Sequence, residues 1–269
     1  GTVGFAGADL ANVVNEAALL AVRNGRKKVA MVDFNDAIDK VSMGLKKKNK
    51  RENEKEHKLI AFHETGHALI AAFTPDFPPV NKITVVPRSH GIGGFTQYRE
   101  QEEHNCFTKR ELLNQVDSCL GGRAAEEIMF GEVSTGASND IARATDIAHK
   151  MVTEWGMSDT VGPMAFGQDD EPIFMGKEMA RKKGYSEYMA QKIDEAVKDL
   201  LDEARNRAYK NLKDHRDQLT KLSDLLFEKE TLEDAEIRNL LGLSVRVSMD
   251  SIVSETGTGV ESPQMLQSN

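Results

Sequence analysis

The residues with the clearest chemical potential are His63, Glu64 and His67, which form an H-E-x-x-H pattern inside an apolar run. Residues four apart in a helix lie on one face, so the two imidazoles can bind one Zn²⁺. Glu64 is then placed to act as a general base toward a water on the metal. The alternative, two histidines on a solvated face, is disfavoured because the run after Ile60 is apolar and buried imidazoles need partners.

The helix that carries this pattern is predicted over Lys55–Ala72, which contains no proline, and Thr74 and Pro75 end it. A second helix is expected to begin at Met31 with Asp33 as its N-cap. Strands are predicted at Lys82–Val86 and Gly91–Tyr98. The fold class is therefore mainly α, with a small β-sheet beside the H-E-x-x-H helix. Apolar residues at helical spacing predict further helices within Leu10–Ala21, Thr108–Met129, Ser138–Met151, Ser186–Lys213, Leu219–Phe227 and Ala235–Leu241.

Composition restricts the class of protein. The chain has 269 residues, 39% apolar and 29% charged, as in soluble globular proteins, and no window of 18 apolar residues suggests a membrane span. Its net charge of −8 disfavours nucleic acid as a partner, so the basic run Lys46–Arg51 is interpreted as a solvated linker. Cys106 and Cys119 lack a C-x-x-C pattern, which indicates a reducing compartment and no cysteine metal site. Gly1 is not a start methionine, so we expect a fragment.

A catalytic zinc takes three protein ligands and keeps one position open, so a third ligand must lie outside the motif. Four residues are candidates, namely Glu126, Glu127, Asp140 and His149, and sequence spacing cannot choose among them. Asp140 also has a simpler interpretation, as a negative charge at a helix N-terminus.

Glycines mark two further places. Gly93 and Gly94 stand before Phe95 in the second predicted strand, where they indicate either an edge that accepts an extended peptide or simply a tight connection. The pair Gly121-Gly122 falls within a predicted helix. It either allows close packing against a neighbouring helix or breaks that helix in two.

Four segments occur in the order found in one known family: Phe62–Ala68, Lys82–Arg88, Leu120–Glu127 and Ser134–Asp140. Together they closely resemble the protease domain of FtsH-type membrane-anchored ATP-dependent zinc proteases. The resemblance runs from about residue 4 to about residue 242. Thr65 stands where the family usually has Ala or Ser, a mild departure that touches no ligand.

The resemblance implies that Asp140 is the third zinc ligand. Glu126 and Glu127 remain the runners-up for that position and could equally brace a ligand histidine. It implies that the strand at Gly93–Phe95 pairs with substrate backbone. The activity implied is that of a hydrolase, a zinc metalloendopeptidase with one Zn²⁺ per subunit. It would processively degrade unfolded or membrane proteins delivered by an attached ATPase module.

The same resemblance implies a domain organisation. Residues 1–46 look like the end of a helical AAA+ lid, 47–54 a linker, 55–242 the protease domain and 243–269 a disordered tail. No G-x-x-x-x-G-K-[ST] loop is present, so ATP and Mg²⁺ are expected only in the missing ATPase module. Family members are homo-hexamers anchored in the inner (cell) membrane by helices missing here, with the protease domain on the cytoplasmic side. This fragment by itself is expected to be soluble.

Two other functional classes stay open. The chain could be a non-catalytic assembly module with a structural zinc, but such sites usually have four protein ligands, often cysteines, and Glu64 would have no role there. It could be an unfoldase without proteolysis, but the phosphate loop that such an activity needs is absent.

Overall fold

The computed structural model describes residue 2 and residues 4–45, 53–87, 93–99, 106–166 and 185–244. The basic run Lys46–Arg51, predicted to be a linker, and residues 245–269 of the predicted tail (243–269) lie outside this part of the chain. The fold is mainly helical with one small sheet, as predicted. None of the described helices is long and apolar enough to cross a membrane. In chain order the elements are α1 (Gly7–Arg23), α2 (Met31–Met43), α3 (Glu54–Phe73), β1 (Val80–Thr84), β2 (Phe95–Tyr98), α4 (Lys109–Phe130), α5 (Ser138–Thr153), α6 (Glu187–Asp214), α7 (Arg216–Lys229), β3 (Thr231–Glu233) and α8 (Asp234–Leu241).

Helix α3 lies in the middle of the main core, between α4, α7 and the sheet. It begins after Asn53, whose side chain accepts a hydrogen bond from the main-chain N–H of Lys55 at 3.2 Å, and it ends at Phe73 before Pro75. Every residue from Ala61 to Ala71 is buried. The predicted helix over Lys55–Ala72 is therefore confirmed, and its H-E-x-x-H segment has no solvated face.

Helices α3 and α4 cross with their backbones in contact. A Cβ atom added to Gly66 would lie 2.4 Å from the main-chain oxygen of Gly121, and one added to Gly121 would lie 2.9 Å from that of Gly66. Only glycines permit so close an approach. Close packing at the Gly121-Gly122 pair is thus confirmed. The alternative, a broken helix, is wrong, because α4 continues to Phe130.

The sheet has the strand order β2-β1-β3 and is antiparallel throughout. Ile83 in the central strand pairs with Thr96 on one side and Leu232 on the other. The observed β1 begins at Val80, earlier than predicted, and β2 begins only at Phe95. Strand β3 was not predicted, because three residues carry no periodic signal and their partner lies about 150 positions earlier in the chain.

Helices α1 and α2 form a helical hairpin, which has its own small core of Val13, Ala17 and Ala37. The prediction that Asp33 is the N-cap of α2 is wrong. Ala30 occupies that position, and the Asp33 carboxylate, in the third helical position, accepts a hydrogen bond from the Ala30 N–H at 3.0 Å.

A buried ion pair joins this hairpin to the sheet. Nζ of Lys82 on β1 lies 2.6 Å from Oδ2 of Asp39 on α2, and both residues are buried. The same ammonium group lies 5.7 Å from the ring centroid of Phe95, the first residue of β2. Lys82 is consequently shared by the N-terminal hairpin and the two strands nearest the H-E-x-x-H helix.

Candidate metal centre

Three side chains converge on one point beside α3. Nε2 of His63 lies 3.1 Å from Nε2 of His67 and 3.1 Å from Oδ2 of Asp140, and Nε2 of His67 lies 3.5 Å from the same oxygen. A tetrahedral Zn²⁺ with ligands at about 2.0–2.1 Å spaces its ligand atoms about 3.3–3.4 Å apart. The three atoms therefore have the spacing of one face of such a tetrahedron. In the described ranges, no other group of three or more His, Cys, Asp or Glu side chains is arranged in this way.

The other nitrogen of each imidazole already has a partner. Nδ1 of His63 lies 2.6 Å from Oε1 of Glu126, and Nδ1 of His67 lies 2.7 Å from the main-chain oxygen of Ser118. Each Nδ1–H donates to its oxygen, which turns Nε2 of each ring toward the common point. Metal-binding histidines are typically oriented by partners of this kind.

Of the two neighbouring glutamates, only Glu126 contacts a ligand. It is fully buried, and its carboxylate also accepts hydrogen bonds from the main-chain N–H of Ser134 at 2.6 Å and from the Ser134 hydroxyl at 3.0 Å. Glu127 lies away from the cluster and pairs with Arg205 at 2.6 and 2.9 Å. His149, the remaining candidate, lies outside the cluster too. No sequence pattern indicates the Ser134 contacts, which depend on a loop closing back onto α4.

Asp140 reaches the cluster from the first turn of α5. A short 3₁₀ turn over Thr135–Ala137 leads into that helix and sets its direction. Burial opposes the charge of Asp140, but hydrogen bonds with His63 and His67 outweigh it and hold the pKa of the carboxyl well below its usual range. The two interpretations of Asp140 are thus compatible, because its carboxylate is a negative charge in the first turn of a helix and also faces the two imidazoles.

Helix α4 passes the imidazoles at Gly122. A Cβ atom there would lie 2.5 Å from Nε2 of His63 and 2.6 Å from Nε2 of His67. Any side chain at this position would occupy the place where the ring atoms meet. The Gly-Gly pair marks close packing in the sequence, but only the fold reveals that its second member packs against the ligand atoms.

The carboxylate of Glu64 lies beside the same cluster. The Thr96 hydroxyl on β2 is 2.9 Å from Oε2 of Glu64 and 3.0 Å from the main-chain oxygen of that residue. Burial raises the pKa of Glu64, against the opposing charges of His67 and His63. Burial would lower the pKa of His63, but hydrogen bonds to Asp140 and Glu126 outweigh it and raise the pKa to about 10. A carboxylate of raised pKa is a stronger base than an exposed one.

Gly93 and Gly94, the candidates for part of a substrate-binding edge, lie where the chain crosses α3. A Cβ atom on Gly94 would lie 2.7 Å from the main-chain oxygen of Thr84, 2.8 Å from Cγ2 of Ile60 and 3.0 Å from Cγ of Glu64. One on Gly93 would lie 3.1 Å from Cδ1 of Ile60. Close packing onto the helix explains both glycines, and it brings the start of β2 next to Glu64.

Comparison with known proteins agrees with this geometry. Residues 50–240 match the model of peptidase family M41, and residues 1–36 match that of the AAA+ lid domain. The ATP-dependent zinc metalloproteases FtsH of Pseudothermotoga lettingae and Thermotoga maritima are each 46% identical over 240 residues, which is 89% of this chain and 38% and 39% of theirs. FtsH 3 of Symbiobacterium thermophilum is 46% identical over 241 residues, 89% of this chain and 38% of that protein. The chain thus spans well under half the length of these relatives. It belongs to peptidase family M41.

Proposed function

We propose that this chain is the peptidase part of an ATP-dependent zinc protease and that it hydrolyses peptide bonds in polypeptide substrates. One observation carries the proposal: Nε2 of His63, Nε2 of His67 and Oδ2 of Asp140 lie 3.1–3.5 Å apart, with both Nδ1 atoms held by other groups. The donor set, two imidazoles and one carboxylate, suits Zn²⁺. Because an imidazole binds a metal in its neutral form, binding would displace the proton that the raised pKa keeps on His63. Three ligands leave a fourth position, as catalytic zinc requires.

In this proposal His63, His67 and Asp140 hold one Zn²⁺ per subunit. The ion would supply Lewis acidity, which acidifies a water and polarises the scissile carbonyl. Glu64 accepts the proton from the attacking water and delivers it to the amine that leaves. Glu126 keeps the ring of His63 oriented, as a second partner of a ligand histidine does.

The substrate is proposed to bind as an extended strand along β2, near Gly93, Gly94 and Phe95. Two observations support this. In the described sheet β2 pairs on one side only, with β1, and an unpaired edge can accept a peptide backbone. Thr96, in the same strand, contacts Glu64, so a peptide on that edge would lie close to the base.

The whole protein is proposed to be larger than this chain. We divide this chain into a lid (1–46), a linker (47–54), a protease domain (55–242) and a tail (243–269). The AAA+ lid match over residues 1–36 supports the first part, and the M41 match over residues 50–240 supports the protease domain. The ATPase module of the whole protein would bind ATP and Mg²⁺ and deliver unfolded or membrane proteins for processive degradation. The assembly would be a homo-hexamer in the inner (cell) membrane, anchored by helices outside this chain, with the protease domain facing the cytoplasm. No role for nucleic acid is proposed.

A structural zinc in a non-catalytic assembly module is the main rival. Such a site would need a fourth protein ligand. In the described part of the chain the group of side chains that could hold a metal consists of His63, His67 and Asp140, and Cys119 on α4 does not belong to it. A pure unfoldase remains disfavoured, since the chain has no phosphate-binding loop.

The test compares zinc content and peptide hydrolysis of the wild type with those of Glu64→Gln and Asp140→Ala. Glu64→Gln should keep its zinc and lose activity by orders of magnitude, whereas Asp140→Ala should lose both. Retained activity in Glu64→Gln would refute the base, and full zinc at unchanged affinity in Asp140→Ala would move the third ligand elsewhere. A zinc chelator should stop casein cleavage while the oligomer persists. A protein that never cleaves casein and whose oligomer dissociates on chelation would favour the rival.

A further inference from the structure

We propose that Thr96 is a positioning residue whose hydroxyl group fixes the direction of the Glu64 carboxylate. The inference rests on the role of Glu64 as the base, proposed above. Oγ1 of Thr96 lies 2.9 Å from Oε2 of Glu64, across the gap between β2 and α3. A hydrogen bond from a hydroxyl to a carboxylate is charge-assisted and stronger than one between neutral groups.

A glutamate needs such a contact to act as a base at a defined place. Its side chain has three rotatable bonds, and α3 fixes only where that side chain begins. Gly94 packs against its middle, since a Cβ atom there would lie 3.0 Å from Cγ of Glu64, and Thr96 holds its end. Among the described residues no group donates to Oε1, so that oxygen is free to face a water. The packing against Gly94 and the hydrogen bond from Thr96 therefore fix Oε2 of Glu64 and leave Oε1 available.

The same face of β2 also reaches a ligand histidine. Tyr98 is two residues after Thr96 and therefore lies on the same side of the strand. Its hydroxyl group is hydrogen-bonded to the Ser118 hydroxyl at 2.9 Å, and the main-chain oxygen of Ser118 accepts the Nδ1–H of His67 at 2.7 Å. One face of a four-residue strand thus contacts both the base and the residue that orients a ligand, which fixes β2 relative to the reacting groups.

This role differs measurably from substrate binding. A peptide added to the edge of β2 would use main-chain groups, which a side-chain substitution leaves in place. The Thr96 hydroxyl points instead at α3. Loss of the hydroxyl should therefore slow the chemical step, which appears in kcat, and leave KM nearly unchanged.

The experiment uses zinc-loaded protein, a fluorogenic peptide and three variants. Thr96→Val removes the hydroxyl at nearly constant shape, Thr96→Ser keeps it, and Thr220→Val makes the same chemical change on α7, where the hydroxyl donates only to the Arg216 carbonyl at 3.1 Å. For Thr96→Val we expect a fall in kcat of about 10- to 100-fold, KM within about twofold and unchanged zinc content. Thr96→Ser should recover most of the rate, and Thr220→Val should match the wild type.

Several results would overturn the inference. They are an unchanged kcat in Thr96→Val, a raised KM, a loss of zinc, or a Thr96→Ser variant as slow as Thr96→Val. If Thr96→Val does not fold, Thr96→Ala gives the same comparison. An inactive Glu64→Gln beside a fully active Thr96→Val would refute this inference alone, whereas an active Glu64→Gln would refute the proposed function beneath it.

Discussion

Nδ1 of His63 donates a hydrogen bond to Oε1 of Glu126 across 2.6 Å, and this contact turns Nε2 of the ring toward Asp140. Glu126 is itself held by two hydrogen bonds from Ser134. The orientation of one proposed zinc ligand thus depends on a loop that follows α4. Residues in such supporting positions typically affect metal affinity even though they do not touch the metal.

Glu126→Ala should weaken zinc binding by about 10- to 100-fold, because the His63 ring loses its acceptor and can rotate. The matched control is Glu127→Ala, one residue along, which removes only the pair with Arg205 at the surface. Competition with a chromophoric chelator measures both affinities. Equal affinities in the two variants would show that the hydrogen bond to His63 has no part in metal binding.

Gly122→Ala should abolish tight zinc binding while the helices persist. The new methyl group would lie 2.5 Å from Nε2 of His63, so the imidazoles must move apart. Gly7→Ala is the control, since a Cβ atom there has no neighbour within 4 Å. Zinc titration and circular dichroism would check both points. Normal zinc affinity in Gly122→Ala would mean that the two helices separate without disturbing the rings.

Asp39→Ala should lower the free energy of unfolding by about 3 kcal/mol, because the Lys82 ammonium would stay buried without its partner. Removing Asp202, which pairs with Lys198 at the surface of α6, should have no measurable effect. Urea denaturation followed by circular dichroism measures both changes. If Asp39→Ala is as stable as the wild type, then water or another group can replace the carboxylate.

Removal of zinc should lower the melting temperature by about 10 °C, since free zinc at a thousandfold its Kd contributes about 4 kcal/mol to stability. Calorimetry with and without a chelator measures the shift. Glu64→Gln should show the same shift, because Glu64 is not a ligand in the proposed site. Asp140→Ala should show almost none. A full chelator effect in Asp140→Ala would place the stabilising metal at another site.

The sequence predicted the elements that have strong local signals. The helix around His63 and His67 and the helix predicted within Thr108–Met129 both depend on residues near each other in the chain. Spacing cannot separate Asp140 from the three other candidates for the third ligand, and only the family resemblance distinguishes it from them.

The contacts that spacing did not predict are those between distant segments. Thr96 is an ordinary β-branched strand residue in the sequence, and its hydrogen bond to Glu64 arises only when β2 folds over α3. Ser118 orients His67 through its main-chain oxygen. Every residue type has this group, so the identity of the residue carries no signal in the sequence. The N-cap prediction for Asp33 is wrong because Asp is favoured both at the N-cap and in the first turn of a helix, and the sequence does not distinguish the two positions.

Burial on every face of Ala61–Ala71 has a mechanical consequence. A close-packed helix of this kind cannot rotate or slide without rearranging all of its neighbours. The two imidazoles and the carboxylate between them are therefore carried by a helix that is packed against neighbours on every side. The spacing of these groups is accordingly set by the packing around the helix, before any ion or peptide arrives.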